Sequence, residues 1–86
     1  MLPTLFEILG YRIFFWSNEK DEPVHVHVCK GPPSSDATKI WLPPDSNPVL
    51  AHNKSHIPQK DLNRILKQIA SSRSDIIARW YDYFGK

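Results

Sequence analysis

Two apolar runs, Leu5-Phe6-Glu7-Ile8 and Tyr11-Arg12-Ile13-Phe14-Phe15-Trp16, flank Leu9-Gly10 near the start of the chain. Both are rich in β-branched and aromatic residues, and Gly10 supplies the positive φ that a tight hairpin turn requires. The pattern predicts strands over about residues 5–9 and 11–16. Apolar side chains fall on both faces of the second run, which predicts an interior strand covered on two sides. Residues 17–23 are polar and acidic and read as a loop. Val24-His25-Val26-His27-Val28 then alternates strictly. Period two in a strand over 24–29 sets the valines on one face and His25 with His27 on the other.

A loop over residues 31–35 leads to Ala37-Thr38-Lys39-Ile40-Trp41-Leu42, a predicted strand over 37–42 that Pro43-Pro44 stops. Pro48-Val49-Leu50-Ala51-His52 fits either a short edge strand or a loop laid over the core. Leu62, Ile65, Leu66 and Ile69 recur at helical spacing, predicting a helix over about 58–71 with Pro58 in its first turn. Ser72-Arg73-Ser74-Asp75 has the form of a capping box. It would open a second helix over about 73–84, with Ile76, Ile77, Trp80 and Phe84 on one stripe and Gly85 closing it. The fold class expected is α+β, in one domain spanning residues 1–86. An N-terminal antiparallel sheet of about four strands, beginning with a hairpin, packs against two C-terminal helices.

A chain of 86 residues buries a modest share of its surface, so its core is thin. Cys29 is the only cysteine, which excludes an internal disulfide and fits a reducing, cytoplasmic setting. Met1-Leu2-Pro3-Thr4-Leu5-Phe6-Glu7 lacks a basic leader, and no apolar run approaches membrane-spanning length, so no membrane partner is expected. The net charge of +2 is small but unevenly spread. Residues 1–43 carry four Lys/Arg against five Asp/Glu, and residues 44–86 carry seven against four. That excess would attract RNA, DNA or an acidic protein.

The histidine strand is the first place to look for chemistry. Two imidazoles at i and i+2 lie about 6–7 Å apart along a strand face. Titrating near neutrality, they would serve as general base and general acid. Metal-independent RNA cleavage needs that pair and a cation for the developing charge, for which Lys39, Arg12 and Lys30 are candidates. The catalytic set is therefore His25, His27, Lys39 and Arg12. A metal reading would need further donors from His52, His56 or Glu22, and the spacing has no zinc signature, so no metal or other cofactor is assigned. Inert, hydrogen-bonded histidines on a half-buried face would produce the same pattern. Lys60, Arg64 and Lys67, at i, i+4 and i+7, form a line that would track a phosphate backbone, although a solvated helix face looks the same. Trp41, Tyr81 and Tyr83 would stack on bases, whereas Trp80 shares the apolar stripe and belongs in the core.

Three segments together resemble a known family. They are Glu22-Pro23-Val24-His25-Val26-His27-Val28, Ala37-Thr38-Lys39-Ile40-Trp41-Leu42, and Trp80-Tyr81-Asp82-Tyr83-Phe84-Gly85. In this order, after a glycine-turn hairpin, they are similar to the domain of unknown function 4160 family. Leu50-Ala51-His52-Asn53-Lys54 is similar to the segment that precedes the first helix there. The resemblance implies a bacterial or phage-borne protein, often encoded beside a second small gene. Some such pairs are type II toxin–antitoxin modules with this family as the toxin, called DhiT. It thus implies a growth inhibitor with a cognate antitoxin as partner, and the aligned histidines with nearby cations point to an RNA or translation-linked target. A non-enzymatic module that binds nucleic acid or protein through its sheet and basic helix is the alternative.

Overall fold

The computed structural model describes residues 4–15, 23–31 and 36–85, with residues 4–6 described by backbone alone. The readings for Trp16, for residues 17–22 (Glu22 included) and for residues 32–35 lie outside them. Five strands come first: β1 Thr4–Ile8, β2 Tyr11–Phe14, β3 His25–Lys30, β4 Thr38–Trp41 and β5 Val49–His52. Two helices follow, α1 Gln59–Ser71 and α2 Arg73–Phe84. The strands pair antiparallel in sequence order, β1-β2-β3-β4-β5, leaving β1 and β5 as edges. The sheet has one strand more than the four expected, because Val49–His52 takes the edge-strand form and not the loop form. Among the described residues, no helix is long and apolar enough to cross a membrane.

The first turn works as its residues require. Leu9 and Gly10 both have positive φ, 54° and 82°, the sign pattern of a type I′ hairpin turn. For Leu9 that conformation costs roughly 1–2 kcal/mol.

The valine face of β3 builds the core. Val26 and Val28 join Tyr11 and Ile13 of β2, Ile40 and Leu42 at β4, and Leu62, Ile65, Ile69 and Ile76 of the helices. Leu62, Ile65 and Ile69 are the buried stripe of α1, and Ile76 with Trp80 the buried stripe of α2. The helices therefore cover one face of the sheet, as the two stripes predicted. Tyr11 adds a polar tie by donating its hydroxyl to Asp61 of α1 at 3.0 Å. Burial, that hydrogen bond and the Asp61 charge all raise the pKa of Tyr11.

The helix junction differs from the capping box. Ser72 makes no side-chain cap, and its backbone N–H donates to Gln68 and Ile69 at 3.0 and 3.2 Å. Its carbonyl accepts the first hydrogen bond of α2 from Ile76 N–H at 3.0 Å, as an N-cap residue's does, but its backbone (φ −104°, ψ 11°) is not the extended one from which a cap hydroxyl reaches the first-turn N–H groups. Gly85 ends α2 as expected, at φ 73° with its N–H donated to Tyr81.

Asn53 fixes the path from β5 into α1. Its Oδ1 accepts from the Thr38 hydroxyl at 2.7 Å and from Ile57 N–H at 3.0 Å, and its Nδ2 donates to the Ile57 carbonyl at 3.0 Å. The single Thr38 proton is used there, so Ser55 donates in the 2.5 Å contact between their hydroxyls. Thr38 has no exposed surface, and its polar atom depends on this set. Asn53→Ala is expected to destabilise the protein by about 2–3 kcal/mol, read as a lower urea midpoint with an unchanged slope.

Candidate functional site

Alternation in β3 turns His25, His27 and Cys29 away from the valine core. The strand register extends that face sideways: Phe14 is opposite His27, His27 opposite Lys39, and Lys39 opposite His52. A parallel row sets Arg12 opposite Cys29, and another sets His25 opposite Trp41 and Trp41 opposite Val49. Arg12, His25, His27 and Lys39, the four residues singled out for catalysis, thus share one face of three adjacent strands.

They are not equally accessible. His25 has no exposed surface and His27 retains 8%, whereas Arg12 and Lys39 are half-buried. The His25 ring lies 5.0 Å from His27, 5.2 Å from Trp41 and 5.1 Å from Trp80, centroid to centroid. Its Nδ1 is 2.8 Å from the Pro23 carbonyl, which only accepts, so Nδ1 carries the hydrogen and donates it. His27 stacks on Phe14 at 5.6 Å and 26°. Phe14, Cys29 and Ala37 form a small second core on this face. Period two located the two histidines correctly but could not show that their face is closed over.

Lys39 sits with its Nζ 4.2 Å from the centre of the Trp41 ring, a cation–π contact worth roughly 0.5–1 kcal/mol where solvent reaches it. Lys30, the third candidate cation, is exposed and lies 5.3 Å over Tyr11 instead. Cys29 is buried, with its thiol toward the Gly31 carbonyl at 3.9 Å.

The basic line occupies a different part of the molecule. Lys60, Arg64 and Lys67 are all exposed, opposite the buried stripe of α1, and among the described residues none is in an ion pair. Tyr81 and Tyr83 are exposed by 45% and 39%, while Trp80 is buried, as the stripe predicted. No group of three or more His, Cys, Asp or Glu among the described residues is placed to hold a metal ion.

The whole arrangement falls within a single family match. The model of a domain of unknown function, DUF4160, covers residues 10–81. The chain belongs to that family. No curated protein and no solved structure matches it. The matched DUF4160 region holds the histidine strand, β4, β5 and all of α1, so the candidate residues of the sheet face and the basic line lie inside it, while Tyr83 lies beyond its end.

His52 was legible in the sequence only as a conditional metal ligand, yet it closes the row at the β5 edge. Its pKa is lowered, first by burial and then by the charges of Lys54 and Lys39. The Lys54 N–H points at its Nδ1 across 3.4 Å, a contact that the neutral ring accepts and the protonated ring cannot. An unfolded histidine takes its proton near pH 6.5, before the folded one does. The stability due to neutral His52 is therefore complete above about pH 6.5 and lost as pH falls through the lower folded value. NMR titration should place His52 below 6.5, and Lys54→Gln should move it upward. The urea midpoint should fall between pH 7 and pH 5 less steeply in His52→Gln than in the wild type.

Proposed function

We propose that this chain is a growth-inhibiting toxin of a type II toxin–antitoxin pair, similar to DhiT, acting on an RNA or translation-linked target. We infer further that it holds the target through exposed cations and does not attack it with a histidine pair. The resemblance carried by the histidine strand, the Lys-Ile-Trp-Leu strand and the helix-pair ending supports the toxin part. The observation that carries the binding part is the contrast in access. His25 has no exposed surface and spends its Nδ1–H on a backbone carbonyl, whereas Lys60, Arg64 and Lys67 stand together in solvent. A general acid or base must come within hydrogen-bond reach of the atom it serves. Three aligned cations need only a phosphate backbone beside them.

One observation favours the ribonuclease reading in a reduced form. His27 lies directly opposite Lys39 and diagonal to Arg12, so one partly accessible imidazole has two cations on its own face. His27→Gln is the variant that separates the readings. Removing the His25 ring would hollow out an aromatic cluster and disturb the fold whatever its chemistry.

Growth after induced expression in a bacterial host is the decisive measurement, with soluble levels matched. Arrest by the wild type and by His27→Gln, with relief in Lys60→Gln/Arg64→Gln/Lys67→Gln, is the expected result. Relief in His27→Gln with the fold retained would return the chemistry to the sheet face and call for an RNA-cleavage screen. Growth unaffected by the wild type would remove the toxin assignment. If the target is single-stranded RNA, the triple variant should flatten the salt dependence of binding by about two units of log–log slope.

A further inference from the structure

Between α2 and the end of β4 the protein has a cavity of about 420 Å³, near the lower end of the roughly 300–1,000 Å³ typical of ligand sites. One wall is the run Trp41-Leu42-Pro43-Pro44 with Pro23 and Val24 beside it. The other is Ile77 and Tyr81, at i and i+4 on α2. Each wall therefore carries one aromatic residue, and the remaining surface is aliphatic or proline.

The hydrogen-bonding capacity of these walls is lopsided. Pro23, Pro43 and Pro44 have no N–H to give. The Pro23 carbonyl accepts from His25 Nδ1–H at 2.8 Å, the Val24 carbonyl from Leu42 N–H at 2.9 Å, and the Pro43 carbonyl from the Arg73 guanidinium. Among the described residues, neither the Trp41 indole nor the Tyr81 hydroxyl has a hydrogen-bond partner. An indole N–H only donates, a phenol donates as well as accepts, and a guanidinium has five N–H groups. The side chains thus hold donors in reserve where three wall carbonyls are already taken. Charge gives no direction. Arg73, the Asp75–Arg79 pair at 3.2 Å, Asp45 and Asp82 are mixed in sign, and Lys39 is engaged over the Trp41 ring.

The occupant that fits is apolar, uncharged, and bears hydrogen-bond acceptors without N–H groups. A nucleobase, a sugar or an ordinary extended peptide brings donors of its own, and each one buried unanswered costs about 1–3 kcal/mol. A run of prolines has carbonyls, no N–H, no charge and apolar rings. Its polyproline II form is set before binding, so little entropy is lost on docking, and aromatic-lined grooves are a recurrent way of holding it. We propose that this recess binds an uncharged proline-rich segment of another protein, its rings against Trp41 and Tyr81 and its carbonyls accepting from the indole N–H and the phenol. Such docking goes beyond the toxin assignment and does not rest on it, since the recess would work equally well in a chain with no effect on growth.

The probe is hexaproline, acetylated and amidated, titrated into the isotope-labelled 86-residue chain. Controls are a Gly-Ser repeat of equal length, a peptide with Ala at alternate positions, and hexaproline flanked by Glu or by Lys. Shifts at the Trp41 indole, Ile77 and Tyr81 are expected with hexaproline and absent with the Gly-Ser repeat. Affinity should be about tenfold weaker for the alternating peptide, and the two flanked peptides should bind within about twofold of each other. Tyr81→Phe, which removes only the hydroxyl, should weaken binding several-fold, and Tyr81→Ala should abolish it. The side chain is 45% exposed, and an unchanged spectrum of the free variants would show the fold retained. The proposal is overturned if no shift appears at millimolar hexaproline, if the alternating or Gly-Ser peptide binds as well, or if the flanking charge decides affinity. It is equally overturned if Tyr81→Ala binds like the wild type, or if the shifts map to Lys60, Arg64 and Lys67. Movement of the same resonances with protein concentration alone would make a second copy of the chain the occupant and overturn it too. None of these readouts involves growth, so failure here leaves the toxin assignment to its own test.

Discussion

The middle strand has to be buried on both sides in a protein with little material to bury it. His25, Val26, His27, Val28 and Cys29 of β3 are all buried, a burden that larger α/β proteins meet with a layer of helices on each face. Here both helices lie over the valines, so the histidine face is closed by short-range packing among its own residues and, at His25, by Trp80 of α2. Phe14 stacked on His27, Cys29 and Ala37 beside Phe14, and Trp41 against His25 accomplish that closure. Each of these partners is fixed by strand register or by the segment that enters a strand. A one-residue slip of β3 would turn the valines toward this layer and the imidazoles into the helix interface. Alternation of Val and His therefore specifies the register as strongly as it specifies the core.

That constraint explains which parts of the structure were legible in the sequence. The Val-His alternation, the helical spacing of Leu62, Ile65 and Ile69, and Gly10 in the hairpin turn are local signals, and each gave the element observed. The fifth strand was ambiguous because Val49, Leu50 and Ala51 are all exposed and carry no in–out pattern. Its register with β4 also shifts between Lys39 and Ile40, which disrupts any period of two. The capping signal placed Ser72 correctly at the head of α2, but the backbone there is not extended and the side-chain cap is absent. Asn53 escaped notice altogether. Its partners Thr38 and Ile57 come from opposite sides of it along the chain, and only the closed fold shows that one amide serves both.

The candidate site was legible in its membership and illegible in its access. Strand parity put His25 and His27 on one face, Arg12 and Lys39 were picked only as cations on neighbouring strands, and the register brings all four onto that face. Period two says which residues share a face, but not whether anything lies over it. The cavity of about 420 Å³ between α2 and the end of β4 shows the same limit from the other direction. Trp41 and Tyr81 were singled out as aromatic candidates, yet Ile77 and Arg73 read as stripe and cap, and no spacing rule joins Trp41 to Ile77. Only the approach of α2 to the end of β4 brings Trp41, Ile77 and Tyr81 around one cavity.

Burial gives His25 a task in the fold. A leucine there would fill the space between Trp41 and Trp80 but carry no direction. Imidazole fills it with a flat ring and hooks Nδ1–H to the Pro23 carbonyl, which pins the entry of β3 in the position where Trp41 and Trp80 both reach it. The hydrogen bond contributes about 1 kcal/mol net, a modest gain, but leaving the ring's polar atoms buried without partners would cost more than that. The strand is therefore held to one position by penalty as much as by attraction. A residue with that task has to stay closed to solvent, and a residue that handles substrate protons has to open. The two demands pull His25 in opposite directions, and in this fold its ring is fully buried.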